Sequence, residues 1–321
     1  MFRIHLKQSF GHIHFFVLAY ANFLFMLLLI RPAAFACNTQ TTINNFFQQQ
    51  SDYLSQEDSH NEALREFDNL VETLRSADIE TVVVQDTAEH STPDSIFPNN
   101  WVSFHPDGHV LYPMFAPNRR LERELNIWKM LEPTFPLIDL THEENSGRFL
   151  EGTGSLVLDR LHRIAYASLS ERTHPDLVRH WCEIMSYTPV IFNAMQTIQG
   201  ERLPIYHTNV MMSIGENFAL WCPNSIDTFD ERIFVENSLK QGNRDIIEIT
   251  EMEMWGYGGN ILQVHNRKKQ PHIILSTTAA NILSGSALDS LARHGKILSA
   301  PIPTIERLGG GSVRCMVAEV Y

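Results

Sequence analysis

The sequence predicts an α/β fold in which five ββαβ units close into a ring. Three observations predict it. Paired strands, one amphipathic helix and a further strand recur in that order along the chain. The apolar stretch 26–30 supplies the strand that the first unit otherwise lacks. The terminal stretch 315–321 is one more strand, able to pair beside it. Closing the ring removes exposed strand edges, and each unit buries one sheet face under its helix. The units share element order rather than residues, so a generic α/β or α+β domain is the alternative.

In the first unit a helix is predicted over 59–75. Ser59 and Glu62 make a capping-box pair, and Leu64, Phe67, Val71 and Leu74 form the apolar stripe. A strand at 81–84 follows. The second unit has strands at 101–105 and 109–113 around the turn Pro106-Asp107-Gly108, a helix over 119–131 burying Leu121, Leu125 and Trp128, and a strand at 136–140. The third has strands at 155–158 and 164–168, a helix over 175–185 that starts on a permitted proline, and a strand at 189–193. The fourth joins 209–214 and 218–222 through Gly215-Glu216-Asn217. Its helix runs over 229–241, Gly242 stops it, and a strand at 246–249 closes the unit. The fifth pairs 261–265 with 272–276, then has a helix near 285–294, stopped by Gly295, and a strand at 297–300.

Composition narrows the function classes. Of 321 residues, 44% are hydrophobic and 19% charged, which is ordinary for a globular chain with a sizeable core. The formal net charge is -12 and no long basic run occurs, which argues against a nucleic-acid partner. The four cysteines, Cys37, Cys182, Cys222 and Cys315, form no C-x-x-C pair and fit neither a zinc site nor a disulfide framework. Such thiols point to a reducing, cytoplasmic setting, with three buried structural cysteines and one candidate reactive thiol.

The N-terminus reads two ways. Arg3 and Lys7 precede an apolar run from 15 to 30, and Ala34-Phe35-Ala36 imitates a signal-peptidase site. If residues 1–36 act as a signal peptide, the protein is exported. The ring favours the other reading: 26–30 is a buried strand, 1–25 is a hydrophobic extension or signal-like segment, and 26–321 is one domain. A membrane span is disfavoured because the run is short and contains Asn22.

Chemistry concentrates at unit boundaries. Cys315 follows Gly309-Gly310-Gly311-Ser312-Val313-Arg314. The glycine run reads as a loop whose backbone approaches a ligand, making Gly309 a binding candidate, and Arg314 brings positive charge that would favour a thiolate. A buried cysteine on a terminal strand is the plainer reading. His207 lies just before an apolar strand and titrates near neutrality, but it is one of 15 histidines. Glu151 sits in Leu150-Glu151-Gly152-Thr153-Gly154, a tight turn at a site or a surface turn. His105 and His109 flank a turn without an evident third ligand, so a metal pair is rejected. No G-x-G-x-x-G after a strand, Walker loop or G-x-S-x-G elbow occurs. Together, thiol, imidazole and carboxylate supply nucleophile, acid/base and orienter for covalent catalysis at a planar carbon.

At these residues the sequence resembles the pentein superfamily of guanidino-group-modifying enzymes, which includes arginine deiminases, dimethylarginine dimethylaminohydrolases and amidinotransferases. Within it the chain most resembles the citrulline-utilisation hydrolases of the CtlX type. The resemblance runs from 26 to 321 and rests on Ile30-Arg-Pro-Ala-Ala-Phe35, Phe97-Pro-Asn-Asn-Trp-Val102, Leu150-Glu-Gly-Thr-Gly154, Tyr206-His-Thr-Asn209 and Gly309-Gly-Gly-Ser-Val-Arg-Cys315, in that order. It implies a five-bladed α/β propeller with pseudo-fivefold symmetry and a site in the central channel. It implies that Cys315 attacks the guanidino or ureido carbon, that His207 protonates the leaving amine and then activates water, and that Glu151 orients His207 or holds a substrate nitrogen. Asp94, in Pro93-Asp94-Ser95, matches an aspartate that binds the substrate end group. Arg119 and Arg172 match arginines that clamp the substrate carboxylate, for which a bidentate guanidinium is well suited.

The chain departs from the dimethylarginine dimethylaminohydrolases at Asn99 and Asn100, where those enzymes carry an acidic pair. Amides offer donors and acceptors without charge, which tilts the expectation toward a neutral ureido group, citrulline before arginine. The expected reaction turns citrulline into ornithine, ammonia and carbon dioxide. No cofactor or metal is expected; the partner is a small amino-acid substrate, and a homodimer is compatible with the reading. An amidinotransferase, with an amine replacing water, and a catalytically silent binding module are the alternatives.

Overall fold

The computed structural model describes residues 26–49, 55–131 and 135–321. The extension or signal-like reading of 1–25 lies outside the described residues. Strand β1 (Met26–Arg31) pairs parallel with β2 (Thr81–Gln85), Leu28 opposite Val82. All of Leu27, Leu28, Leu29 and Ile30 are fully buried. Leu27 and Leu29 pack with Phe67 and Leu74, while Leu28 and Ile30 pack with Trp101 and Phe104. A strand buried on both faces loses its polar alternation. That is why this stretch resembles the apolar core of a signal peptide.

Four more three-stranded sheets follow with the same plan, a middle strand antiparallel to one neighbour and parallel to the other. They are β3 (Val102–His105), β4 (Gly108–Leu111) and β5 (Leu137–Asp139), then β6 (Val157–Asp159), β7 (Ile164–Ser168) and β8 (Thr188–Phe192). A separate hairpin, β9 (Met195–Ile198) and β10 (Glu201–Pro204), comes next. The last two sheets are β11 (Met212–Ile214), β12 (Phe218–Trp221) and β13 (Asp245–Glu248), and β14 (Leu262–His265), β15 (Pro271–Ser276) and β16 (Lys296–Ala300). Finally β17 (Ala318–Val320) returns to β1, antiparallel, with Ala318 opposite Leu28. Five blades therefore form a ring whose first sheet joins both ends of the described chain.

Several expectations need correction. The first long helix is Gln56–Ser76, capped by Ser55, whose side chain accepts the Asp58 N–H. Ser59 is buried inside it. Ser55 prevails because Glu57 and Asp58 then fall in the first turn, where the helix dipole favours acids. The expected helix over 119–131 is instead Pro117–Arg120, a 3-10 turn Leu121–Leu125 and Ile127–Leu131, broken by Asn126 at φ 51°. The hairpin β9–β10 was not foreseen; Gln199 and Gly200, both at positive φ, make its turn. Helices Glu251–Trp255, Thr277–Ile282 and Pro303–Gly309 were not foreseen either. The first strand of the fourth blade begins at Met212, after a 3-10 turn Thr208–Val210. Cys315 lies before the terminal strand, in a turn where its N–H bonds Ser312 O. Among the described residues no helix is long and apolar enough to cross a membrane.

The turns that enter three blades meet at the centre. The short helix Gly152–Ser155 packs against the 3-10 turns Pro98–Asn100 and Thr208–Val210. Gly152 permits the first approach: at φ 46°, a Cβ there would lie 2.2 Å from Asn99 O.

Candidate active site

A narrow cleft at the ring centre is lined by Cys315, His207, Asp94, Asn100, Arg119 and Arg172, with Gly309, Tyr206 and Phe97 among its other walls. Residues from four blades thus converge, Asp94 and Cys315 from 221 positions apart in sequence (315 less 94).

Glu151 is fully buried and stands behind the cleft. Its Oε2 lies 2.8 Å from His207 Nε2 and 3.4 Å from Arg172 Nη1, and its Oε1 accepts the Phe115 N–H at 3.0 Å. Burial opposes the ionised carboxylate, but Arg172 and His207 outweigh it and hold the pKa down at about 2. Burial works the other way on His207 and lowers its pKa to about 4, against the pull of Glu151. At neutral pH the pair is therefore a carboxylate accepting a neutral imidazole N–H, with the tautomer assigned by that bond. His207 Nδ1 is left with its lone pair, as a base requires.

Asp94 Oδ2 accepts Asn38 Nδ2 at 2.7 Å and Thr41 Oγ1 at 3.3 Å. Its other oxygen, Oδ1, is buried without a hydrogen-bond partner among the described residues. Burial raises the Asp94 pKa above the usual carboxylate range. An orphaned buried acceptor on a cleft wall is matched to an N–H that a ligand would bring.

Both arginines expected as a carboxylate clamp are already bonded to protein. Arg119 is paired with Glu122 (Nε 2.8 Å, Nη2 2.9 Å), and it donates to Asn100 Oδ1 at 2.7 Å and Phe97 O at 3.0 Å. Arg172 donates to Asn44 Oδ1 through Nε at 2.9 Å and to Thr41 O at 3.0 Å, and pairs with Glu151. Asn100 lines the cleft, its amide turned by Arg119, while its Nδ2 donates to Asn99 Oδ1 at 3.0 Å. Asn99 stands behind it, and its Nδ2 has no partner among the described residues. Arg314 differs from expectation: its guanidinium bonds Val317 O at 3.2 Å and Glu319 at 3.1 Å. The glycine run is not an open loop. Gly309 ends a helix, the Gly310 N–H bonds Glu306 O at 2.9 Å, and a Cβ on Gly309 would lie 2.7 Å from Phe97.

Sequence reasoning missed several residues here. Asn209 and Asn260 approach the Cys315 sulfur. Asn38, Thr41, Asn44 and Asn45 form a strap that ties Asp94, Arg172 and Gly310 together. Asn209 was quoted in a motif but not assigned a role. Amides carry no titration signal, and the strap's partners are distant in sequence.

A ring of five such blades around a central cleft is the pentein architecture of the guanidino-group-modifying superfamily. The family described as eukaryotic N,N dimethylarginine dimethylhydrolase matches residues 31–321, and the chain belongs to it. No curated protein matches the sequence directly. Among solved structures, ArgZ, an arginine dihydrolase from the ornithine-ammonia cycle in cyanobacteria, is similar at 19% identity with a TM-score of 0.71, over 92% of this chain. This chain spans 40% of the length of that protein. The N-terminal domain of ArgZ, covalently bound to a reaction intermediate, is matched over 98% of its length, at 19% identity and a TM-score of 0.72. The dimethylarginine enzyme of Pseudomonas aeruginosa, a cysteine-to-serine mutant complexed with citrulline, is similar over its full length (100%) and 92% of this chain, at 14% identity and a TM-score of 0.64. At these identities the likenesses show the fold.

Proposed function

We propose that the protein hydrolyses a C–N bond in the guanidino or ureido group of a free amino acid, with citrulline the favoured substrate. The observation that carries this is the buried His207–Glu151 pair, 2.8 Å apart, set on the same cleft as the Cys315 thiol and the unpartnered Asp94 Oδ1.

In this reading His207 takes the Cys315 thiol proton as the sulfur attacks the ureido carbon. The bond from that carbon to the ornithine nitrogen breaks, and His207 returns the proton to the leaving amine. Water, deprotonated by the same imidazole, then cleaves the S-carbamoyl intermediate. The thiolate is released, and carbamic acid breaks down to ammonia and carbon dioxide. Glu151 holds the imidazole and balances its charge while it is protonated. Asp94 accepts an N–H of the ureido end. Arg172 meets the substrate carboxylate by exchanging the Asn44 amide for it, whereas Arg119, held by Glu122, sets Asn100 in place.

The preference for a neutral group rests on Asn100, an uncharged amide bonded to the Arg119 guanidinium. A cationic substrate placed against Asn100 meets an uncharged amide, so that wall of the cleft offers it no counter-charge. Arginine and methylated arginines remain within the chemistry. Ammonia and amine release from citrulline, arginine and methylated arginines tests the proposal. Turnover of citrulline, abolished in Cys315→Ala, is expected; a screen without turnover on any of them rejects the reading. A strong preference for arginine rejects the neutral-group argument alone.

A further inference from the structure

Two side-chain amides hold the sulfur of Cys315. Asn260 Nδ2 lies 3.3 Å from Sγ and Asn209 Nδ2 lies 3.6 Å from it. Asn260 is 1% exposed and fixed on every side. Its Oδ1 accepts the Arg314 N–H at 3.1 Å, and its Nδ2 also donates to Asn209 O at 3.1 Å. The Arg314 N–H can only donate, so it determines which end of the amide is oxygen and turns the NH2 toward sulfur. The backbone enforces the approach. A Cβ on Gly259 would lie 2.2 Å from Val210 O, so the turn carrying Asn260 is pressed onto the turn carrying Asn209.

Among the described residues, the charged and titratable groups around the sulfur offer no uncommitted cation. Arg119 is paired with Glu122, and Arg172 with Glu151. Arg314 turns away to Glu319. His207 is neutral, burial keeps Tyr206 and Tyr257 protonated and uncharged, and Asp94 is an acid that brings no positive charge. Among the described residues the amide N–H groups of Asn260 and Asn209 reach the sulfur, and Asn209 Oδ1, 4.0 Å from Sγ, can accept the thiol proton. An N–H on sulfur is weak against a thiol and stronger against a thiolate, so it favours the ionised form.

We propose that Asn260, assisted by Asn209, is a catalytic residue that hydrogen-bonds the Cys315 thiolate and sets its reactivity in place of a cation. The same amides receive the charge again when the thiolate leaves the carbamoyl carbon. The inference rests on the reading of Cys315 as nucleophile.

The rate of iodoacetamide alkylation of Cys315, followed by peptide mass across pH 5 to 10 in the full chain, tests it without any substrate. Asn260→Asp is expected to move the midpoint of the alkylation profile up by about one pH unit and to slow alkylation at pH 7 roughly tenfold. Asn260→Ala and Asn209→Ala should move it in the same direction by less. Profiles that coincide with wild type in folded Asn260→Asp and Asn260→Ala overturn the proposal. If Asn260→Asp does not fold, Asn260→Ser carries the same comparison, and an unmoved profile there is equally fatal. A shifted profile in a protein that hydrolyses none of the screened substrates sustains the amide–thiolate bond but rejects the proposed function and, with it, the catalytic role of Asn260. An active enzyme with unmoved profiles does the reverse.

Discussion

A methyl group on Gly154 would lie 2.7 Å from Nδ1 of His207 and 2.6 Å from Nδ2 of Asn100. Neither neighbour can retreat freely, because Glu151 pins the imidazole and Arg119 holds the Asn100 amide. Gly154→Ala should therefore displace His207, the proposed acid/base group. We expect kcat to fall by roughly ten- to a hundredfold with a small change in Tm. Gly152→Ala differs in kind, since its obstacle is backbone, Asn99 O at 2.2 Å, and its φ of 46° is strained for alanine. It should destabilise the fold by about 3 kcal/mol. Equal Tm losses in the two variants would contradict this division.

Glu151→Gln keeps the shape of the side chain and removes the charge that balances a protonated His207. The carboxylate accepts from His207, Arg172 and the Phe115 N–H, and an amide cannot serve all three. We expect kcat to drop by about 10²–10³-fold with KM less affected. Comparison of steady-state parameters for the two proteins checks it; an unchanged kcat removes Glu151 from the mechanism.

The stability that neutral His207 contributes should fall as pH drops through the weakly acidic range, while Glu122, which burial raises to about 7, acts in the opposite direction. His207 has a folded pKa of about 4, below the ordinary histidine value of about 6.5. Between these values the unfolded chain binds a proton that the folded chain does not. Stability is therefore intact above pH 6.5 and declines toward pH 4, by on the order of 2–3 kcal/mol from this group. Burial depresses His105 as well, in the same direction. Glu151, held at about 2, adds stability above its unfolded value that is lost as pH falls below about 4.3. Urea midpoints from pH 7.5 to 4.5 should decline more in wild type than in His207→Asn, since Glu122 acts alike in both proteins. Parallel slopes would refute the assignment to His207.

The Arg119–Glu122 pair is closed to solvent, its side chains 2% and 0% exposed. Glu122→Gln leaves the guanidinium buried without its counter-charge and should cost about 3–5 kcal/mol. Calorimetric melting measures it. A loss below about 1 kcal/mol would mean that Asp94, 3.9 Å from Arg119 Nε, already balances that charge.

Much of the ring was legible in the chain because its blades are local. The paired strands, turn glycines and apolar stripes of one unit lie within a few tens of residues, and periodicity reports such neighbours. The helix Pro175–Met185 and strand Ile164–Ser168 fall where expected for that reason. The break at Asn126 escaped because the pattern of 119–131 suits an unbroken helix. Tertiary packing decided otherwise: Arg119 is drawn onto Asn100 and the Phe97 carbonyl, and Arg123 onto Glu144.

The sequence by itself determined the architecture and nominated Cys315, His207, Glu151 and Asp94, residue types whose chemistry is written in their side chains. Only the tertiary structure decided that Arg119 and Arg172 are bonded to protein, that Arg314 turns away from the thiol, and that Asn209 and Asn260 reach it instead. The contacts of Arg172, Asn209 and Asn260 join segments distant in sequence, whereas Arg314 turns to Val317 and Glu319 within its own segment. A hydrogen bond between residues 55 positions apart, as from Asn260 to Cys315, has no period or spacing by which a linear chain could announce it.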